Sequence, residues 1–218
     1  MVNAVIFDMD GVVVNTEPIG YKANQQMYKA LDIVVPDEVY ATFIGNSDKM
    51  IVQKLKDLYQ LEHTHEELLD KKYKYYFDVF DNTDDLELLP GVKDLIIDLH
   101  KNGMKLVLAS SASKRKIEAV FTRFGLHDYF EAKISGEDFE LSKPNPEIFF
   151  EAVAKTGFPK QECIIIEDST NGIKAAKAAG VYCIGYKSSH SMGQDTALAD
   201  KIINDFKELS YNEIKYLV

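Results

Sequence analysis

The sequence predicts an α/β fold, a doubly wound parallel sheet of the Rossmann-like kind, with a small all-helical domain inserted near its start. Two observations lead to this prediction. Short apolar runs rich in Val and Ile alternate with amphipathic stretches, which is typical of βαβ units in a parallel sheet. Residues 17–83 depart from this alternation, because they have helical periodicity and contain no convincing strand.

The apolar runs are too short for helices, so each is predicted to be a buried strand. The first begins at residue 2 and lacks the basic segment and cleavage site of a signal peptide, so we expect a strand there and not a targeting segment. The predicted strands, of which the third and sixth have weaker patterns, are residues 2–7, 105–109, 132–135, 163–166, 182–186 and 201–204.

Helical periodicity fills the stretches between the strands. Four helices are each followed by a glycine, as is common at helix C-termini, and they cover residues 91–102, 113–124, 147–156 and 171–179. Three further helices are predicted at residues 17–31, 49–59 and 66–80. Because a parallel crossover normally contains one helix, these three indicate an inserted domain. We therefore predict a core of residues 1–16 and 84–218 and a helical domain of residues 17–83.

Composition excludes several classes of function. The chain has 25 Lys and Arg against 35 Asp and Glu, whereas nucleic acids are bound through clustered basic side chains. No apolar run reaches the roughly 18–20 residues that a membrane-spanning helix needs. Cys163 and Cys183 lie in apolar runs, which favours free buried thiols over a disulfide. We expect a cytoplasmic monomer that binds neither nucleic acid nor a membrane.

Acidic, hydroxyl and basic side chains occur where several predicted strands end. In chain order they are Asp8, Asp10, Ser110, Ser111, Lys143, Glu167 and Asp168. Ligands of open α/β sheets bind outside the carboxyl ends of the strands, so these side chains are predicted to share one site. Each residue alone is equally compatible with a local role: the serines and Asp168 as helix N-caps, and Lys143 as a solvated side chain. Their occurrence at successive strand ends favours a site.

Four segments resemble the motifs of the haloacid dehalogenase superfamily. They are Asp8-Met9-Asp10-Gly11-Val12, Leu108-Ala109-Ser110-Ser111, Lys143-Pro144-Asn145-Pro146 and Ile166-Glu167-Asp168-Ser169. The resemblance covers essentially the whole chain, and the motifs occur in order. It is greatest to the branch of β-phosphoglucomutase-like phosphatases, in which a small helical cap domain follows the first motif, as residues 17–83 do here.

The resemblance implies an enzyme in which Asp8 is the nucleophile and its carboxylate attacks phosphorus to form an aspartyl-phosphate. Asp10 would act as general acid and then as general base. An Asp at position 10 agrees with phosphoryl transfer, because the dehalogenases of the superfamily lack this second Asp.

The resemblance also implies a Mg²⁺ cofactor and a set of phosphate ligands. A cation is needed because a carboxylate that approaches a phosphate dianion is repelled. The implied metal ligands are Asp8, the backbone carbonyl of Asp10, Asp168 and Glu167, the last either directly or through water. The implied phosphate-binding residues are Ser110, Ser111 and Lys143.

Residues of the inserted domain are expected to select the substrate, and the resemblance points to Glu17 and Lys72 as substrate-binding residues. The alternative for Lys72 is a solvated position in the run of lysines around it. Two positions depart from the mutases of the family, which carry a His where this chain has Gly20 and an Arg where it has Asp48. Both departures favour a hydrolase over a mutase.

We therefore predict a Mg²⁺-dependent phosphatase that hydrolyses a small phosphorylated metabolite, such as a sugar phosphate, through an aspartyl-phosphate. The first alternative is a phosphosugar mutase of the β-phosphoglucomutase type, in which a sugar hydroxyl takes the place of water. A remote alternative is a phospho-acceptor receiver domain, which also places acidic residues, a hydroxyl and a Lys around Mg²⁺, but which is about half as long.

Overall fold

The computed structural model describes residues 1–43, 46–187 and 193–218. The chain forms two compact units, which are described separately below. The core unit comprises Met1–Asn15 and Glu87–Val218, and the helical unit comprises Thr16–Leu86. The corresponding sequence-based boundaries were placed between residues 16 and 17 and between residues 83 and 84.

The core unit contains a six-stranded sheet in which all the pairings between named strands are parallel. Its strands are β1 (Ala4–Phe7), β2 (Lys105–Ser110), β3 (Ala132–Ser135), β4 (Cys163–Glu167), β5 (Tyr182–Tyr186) and β6 (Lys201–Ile203). The strand order is β3-β2-β1-β4-β5-β6. The chain thus proceeds outward from β1 on one side and then returns to its other side, which confirms the predicted doubly wound α/β fold.

The α-helices of the described residues agree with the predicted positions, with two additions, the short second and ninth helices. They are α1 (Glu17–Ala30), α2 (Asp37–Ala41), α3 (Asp48–Tyr59), α4 (His65–Phe80), α5 (Val92–Lys101), α6 (Lys114–Phe124), α7 (Glu147–Thr156), α8 (Thr170–Ala179) and α9 (Tyr211–Ile214). In α6, α7 and α8 the expected glycine ends the helix, with φ values of 64°, 76° and 69° at Gly125, Gly157 and Gly180. Glycine reaches these positive φ angles without steric cost.

The first strand begins two residues later than predicted. The buried Val2 donates its amide to the Lys215 carbonyl and so does not join the sheet. Asn3 donates to the Glu162 carbonyl and accepts from the Lys105 amide, and the paired register begins one residue later, at Ala4. From Ala4 onward every residue of β1 is buried. Burial on both faces explains why this strand is a continuous apolar run and not an alternating one.

Both faces of the sheet are covered. On one face, Ala4 and Ile6 of β1 pack in a cluster with Phe149 of α7 and Ile173 of α8. On the other, the Phe7 ring lies 5.8 Å from the ring of Phe130, centroid to centroid. Cys163 and Cys183 are buried free thiols, as predicted. The carboxyl ends of β1, β2 and β4 are therefore carried by buried strands.

The helical unit is built from α1 to α4 around its own apolar cluster. The cluster contains Met27, Tyr28, Val35, Phe43, Ile51 and Leu55. Helix α4 begins with a capping box, in which Thr64 and Glu67 accept each other's backbone amides. Helix α2 was not predicted, because its five residues are all exposed or half-buried and carry no apolar periodicity. Within the described part of the chain, no helix has the length and apolar character needed to cross a membrane.

Candidate active site

The candidate site lies at the carboxyl ends of β1, β2 and β4, where the strand order reverses. Asp8 directly follows β1, and its amide donates to the carbonyl of Ile166 in β4 at 3.0 Å. Ser110 and Glu167 are the last residues of β2 and β4, the two neighbours of β1. The position agrees with the general rule that open α/β sheets bind ligands at their switch point.

Lys143 joins these three strand ends. Its Nζ lies 2.6 Å from Oδ1 of Asp8, 2.8 Å from Oε1 of Glu167 and 3.0 Å from the carbonyl of Ala109 in β2. The residue is 4% exposed, so the alternative of a solvated lysine is wrong. An ammonium group has three donors, and these three acceptors can satisfy all of them.

Glu167 is held on both of its carboxylate oxygens. Oε1 accepts from Lys143, while Oε2 accepts from the amide and the hydroxyl of Ser169 at 2.7 Å and 2.9 Å. The room for this carboxylate comes from Gly172 in α8, because a Cβ at that position would lie 1.6 Å from Oε1. The local fold therefore requires a residue without a side chain five positions after the glutamate.

Asp168 is fitted against a second glycine in the same way. Gly11 has φ +85°, and a Cβ there would lie 2.1 Å from Oδ2 of Asp168. The Gly11 amide donates to the Val14 carbonyl at 2.8 Å, which closes a tight turn directly after Asp10. This turn brings the Asp168 carboxylate against the backbone that follows Asp8 and Asp10, although Asp168 follows β4 and the other two follow β1.

The serines of the second motif do not cap the following helix. The N-cap of α6 is Ser113, whose hydroxyl accepts from the Lys116 amide, and the N-cap of α8 is Ser169 and not Asp168. The buried Ser110 instead accepts from the Ala112 amide at 3.1 Å. Ser111 is half-buried, and a Cβ on Gly136 would lie 2.9 Å from its Cα. The helix-cap alternatives for Ser110, Ser111 and Asp168 are therefore wrong.

The electrostatics of the site are dominated by burial and by an excess of acid. Burial raises the pKa of Asp8; Lys143 opposes this, and the carboxylates of Glu167 and Asp168 raise it further, so the net shift is well upward. Burial lowers the pKa of Lys143, but the adjoining carboxylates of Asp8 and Glu167 outweigh it and hold the pKa above its ordinary value. The ammonium therefore stays charged beside more carboxylate than it can neutralise.

The chemistry of these residues fits a divalent cation. Asp8, Glu167 and Asp168 are buried carboxylates, of which the first two form ion pairs with Lys143, and oxygen ligands suit Mg²⁺. Within the described residues, no group of three or more His, Cys, Asp and Glu side chains forms a ready metal cage. Mg²⁺ typically uses one or two carboxylates together with water and substrate phosphate, and it rarely uses a cage made of protein alone.

The two candidate substrate-binding residues of the helical unit are Glu17, at the start of α1, and Lys72 in α4. Lys72 is 6% exposed, so its alternative as a solvated residue is wrong. Its Nζ donates to Oδ1 of Asn24 at 2.9 Å and lies 3.5 Å from Oδ1 of Asp48. Asp48, which occupies the position of the mutases' Arg, therefore forms an ion pair with Lys72.

Sequence reasoning missed Gly172, and it assigned no part to Phe149, whose ring centroid lies 4.9 Å from the Lys143 ammonium. Glycine in a helix interior costs about 1 kcal/mol relative to alanine. An isolated glycine in the predicted helix after Glu167 was therefore a usable signal. The contact between Lys143 and Phe149 had no comparable signal, because the sequence does not distinguish Phe149 from the other apolar residues of its helix.

Comparison with known proteins identifies the family. The model of the haloacid dehalogenase-like hydrolases matches residues 5–186. The chain belongs to this family. It is 29% identical over 219 residues to hexitol phosphatase B of Escherichia coli (strain K12), with 97% of this chain and 96% of that protein covered. The crystal structure of β-phosphoglucomutase from Clostridium difficile superposes with a TM-score of 0.85 at 26% identity, covering 98% of this chain and 96% of the other.

One relative is much longer than this chain. Protein SUPPRESSOR OF QUENCHING 1, chloroplastic, of Arabidopsis thaliana is 29% identical over 219 residues, which are 98% of this chain but 20% of that protein. The family match confirms the resemblance inferred from the motifs and the prediction of an enzyme of the hydrolase class. It argues against the alternative of a receiver domain.

Proposed function

We propose that this hydrolase is a phosphatase that releases inorganic phosphate from a small phosphorylated sugar or polyol. The observation that carries the proposal is the buried carboxylate of Asp8, held at 2.6 Å by the Lys143 ammonium at the switch point of the sheet. The name of the hexitol phosphatase relative supports the substrate class.

In this proposal Asp8 is the nucleophile. Its carboxylate oxygen attacks phosphorus and forms an aspartyl-phosphate, while the P–O bond to the leaving alcohol breaks. Lys143 keeps that carboxylate in place and offers positive charge to the phosphoryl oxygens. Ser110 and Ser111, at the end of the neighbouring strand, would donate hydrogen bonds to the same oxygens.

Asp10 would carry the proton. It would protonate the leaving oxygen in the first step and take a proton from the attacking water in the second, which regenerates Asp8 and releases phosphate. The tight turn at Gly11 follows Asp10 directly and keeps both aspartates at the end of β1, as this division of labour requires.

Mg²⁺ is the proposed cofactor, and it would supply charge neutralisation between the carboxylate and the phosphate dianion. Asp8, Asp168 and the Asp10 carbonyl would hold it. Both oxygens of Glu167 already accept hydrogen bonds from protein donors. For this reason we propose that Glu167 reaches the ion through water and not directly.

Glu17 and Lys72 are proposed to influence which leaving group is accepted. Lys72 already has an acidic partner in Asp48, so the pair adds little net charge to the helical unit. This arrangement suits a leaving group with hydroxyls better than one with a second phosphate, and it agrees with the hydrolase assignment.

The proposal is tested by phosphate release from p-nitrophenyl phosphate and a panel of sugar and polyol monophosphates with Mg²⁺. Wild-type protein is expected to be active, and Asp8→Asn inactive while retaining its far-UV circular dichroism. Asp128→Asn, a change at an exposed aspartate of the core unit, is the matched control and should retain activity. Absence of phosphate release by wild type, or equal rates for Asp8→Asn, would contradict the proposal.

A phosphosugar mutase is the second candidate, favoured by the structural similarity to β-phosphoglucomutase. It shares the chemistry at Asp8 and differs in using a sugar hydroxyl in place of water. Conversion of β-glucose 1-phosphate to glucose 6-phosphate in a coupled assay distinguishes the two. Because Gly20 and Asp48 replace the His and Arg of the mutases, we expect phosphate release to be the faster reaction.

A further inference from the structure

A set of contacts behind the site joins the start of α8 to the segment after β5. The amide of Thr170 donates to Oε1 of Gln194 at 2.9 Å, and the amide of Asp195 donates to Oγ1 of Thr170 at 2.6 Å. These bonds connect residues that are 24 and 25 positions apart in the chain. We call Thr170, Gln194 and Asp195 the clasp.

The clasp satisfies a backbone donor that the helix cannot satisfy itself. The first amides of an α-helix have no acceptor within the helix. In α8 the Ser169 hydroxyl accepts from the Gly172 amide at 3.0 Å, and the side chain of Gln194 accepts from Thr170. The first turn of α8 is therefore held by its own N-cap on one side and by a distant segment on the other.

The segment that carries Gln194 is itself fixed to the sheet. Thr196 is buried, and a Cβ on Gly185 of β5 would lie 3.2 Å from its Cβ and 2.9 Å from that of Ala199. Asp200 closes the segment, because its amide donates to the Cys183 carbonyl and its Oδ2 accepts from the Cys183 amide, both at 2.8 Å. Gln194 is therefore presented to α8 from a packed support.

Thr170 is directly bonded to the residue that orients Glu167. Ser169 donates to Glu167 through both its amide and its hydroxyl, and Glu167 in turn accepts from Lys143. We propose that the clasp fixes Ser169 and, through it, the Glu167–Lys143 pair, so that Gln194 and Thr170 are positioning residues for the reaction at Asp8. This inference rests on the proposed phosphatase function.

The test uses near-isosteric variants in the full chain. Gln194→Met and Thr170→Val remove the two acceptors, whereas Gln194→Glu and Thr170→Ser retain an acceptor oxygen. Mutation of residues that hydrogen-bond to metal-ligating side chains typically lowers metal affinity or activity by about 10–100-fold. We expect kcat for p-nitrophenyl phosphate to fall about tenfold in the first pair with little change in KM, and to stay near wild type in the second.

Hydrogen exchange at the Thr170 amide gives a readout that does not depend on activity. It should accelerate in Gln194→Met and remain slow in Gln194→Glu, since this amide is the one that Gln194 accepts from. Gln161→Met, at an exposed glutamine before β4, is the control and should change neither exchange nor kcat.

The outcomes separate this inference from the proposed function. If wild-type protein hydrolyses no phosphate ester, the proposed function fails, and with it the role of the clasp. If wild type is active but Gln194→Met and Thr170→Val keep the wild-type kcat despite faster exchange at Thr170, the clasp is structural and the inference is overturned. Failure of Gln194→Glu to restore kcat would also overturn it, because the acceptor would then not be the property that matters.

Discussion

The substitution Gly172→Ala is expected to reverse the usual effect of replacing a helical glycine. In an unobstructed helix interior, alanine is more stable than glycine by about 0.5–1 kcal/mol. At position 172 the new methyl group would lie 1.6 Å from Oε1, 1.9 Å from Cδ and 2.4 Å from Oε2 of Glu167. Atoms cannot approach so closely, so either the carboxylate or the helix must move.

Movement of the carboxylate is costly because three protein donors hold it. Lys143, the Ser169 amide and the Ser169 hydroxyl all donate to Glu167, which is 1% exposed. Disruption of a buried ion pair typically costs about 3–5 kcal/mol. After the helix-propensity gain is subtracted, we expect the free energy of unfolding to fall by about 2–4 kcal/mol.

Urea titration followed by circular dichroism measures this loss. For a chain of this size, 1 kcal/mol corresponds to about 2–4 °C in Tm, so a drop of about 4–16 °C is expected in a thermal scan. The matched control is Gly20→Ala in α1, where no atom of the described residues lies within 4 Å of the added Cβ. That variant should be as stable as wild type or more stable. A Gly172→Ala protein at or above wild-type stability would refute the reasoning.

Three further predictions concern the helical unit, the β5–β6 edge and the cofactor. Leu55→Ala, at a fully buried position, should lower the free energy of unfolding by about 2–5 kcal/mol. Leu58→Ala, at a residue that is 59% exposed, should change it by less than about 0.5 kcal/mol. Equal losses of unfolding free energy for the two variants in denaturant titrations would contradict the assigned packing. Burial tends to raise the pKa of Asp200, but Lys177 and the Cys183 amide outweigh it and hold the pKa below its usual value. The ionised Asp200 carboxylate therefore stabilises the folded protein above about pH 4, and this stabilisation is lost as the pH falls through the lowered pKa. Asp200→Asn should therefore be less stable than wild type at pH 7 by about 1 kcal/mol and equal to it in strong acid, and a difference that persists in acid would refute this assignment. Chelation with EDTA should abolish phosphate release and added Mg²⁺ should restore it, whereas full activity in EDTA would contradict the proposed cofactor.

Most of the sheet was predictable because β1, β2, β4 and β5 are almost entirely buried on both faces. Burial of this kind requires a continuous apolar run, and such a run ends visibly where the chain reaches polar residues, as at Asp8 after Phe7. Helix α2 had no such pattern, because its five residues lie at or near the surface. The predicted start of β1 is too early because an apolar, buried residue need not belong to a strand. Val2 is apolar and buried but is bonded to the C-terminal segment instead of the sheet.

The residues of the candidate site were predictable as a set, but their contacts were not. Four motifs predicted that acids and a lysine meet at the strand ends. Nothing in the spacing shows that Lys143 contacts Asp8, Glu167 and Ala109 at once, since that depends on the path of the loop before α7. For Lys72, the neighbouring lysines in the sequence suggested a solvated face, whereas the partners that bury it, Asn24 and Asp48, come from other helices.

The two glycines of the site explain how adjacent acids can have different roles. Glu167 and Asp168 are consecutive, and successive side chains at a strand end point in different directions. Glu167 lies against Gly172 of α8 and contacts Lys143, while Asp168 lies against Gly11 in the turn after Asp10. Each carboxylate thus occupies space that a side chain at position 11 or 172 would fill. Since a Cβ at either glycine would displace one particular acid, the pair Gly11 and Gly172 specifies the geometry of the site as directly as the charged residues do. Replacement of Gly11 by alanine should accordingly disturb Asp168, and replacement of Gly172 should disturb Glu167 and Lys143. Comparison of the two variants can therefore separate the contribution of each acid without removing either carboxylate.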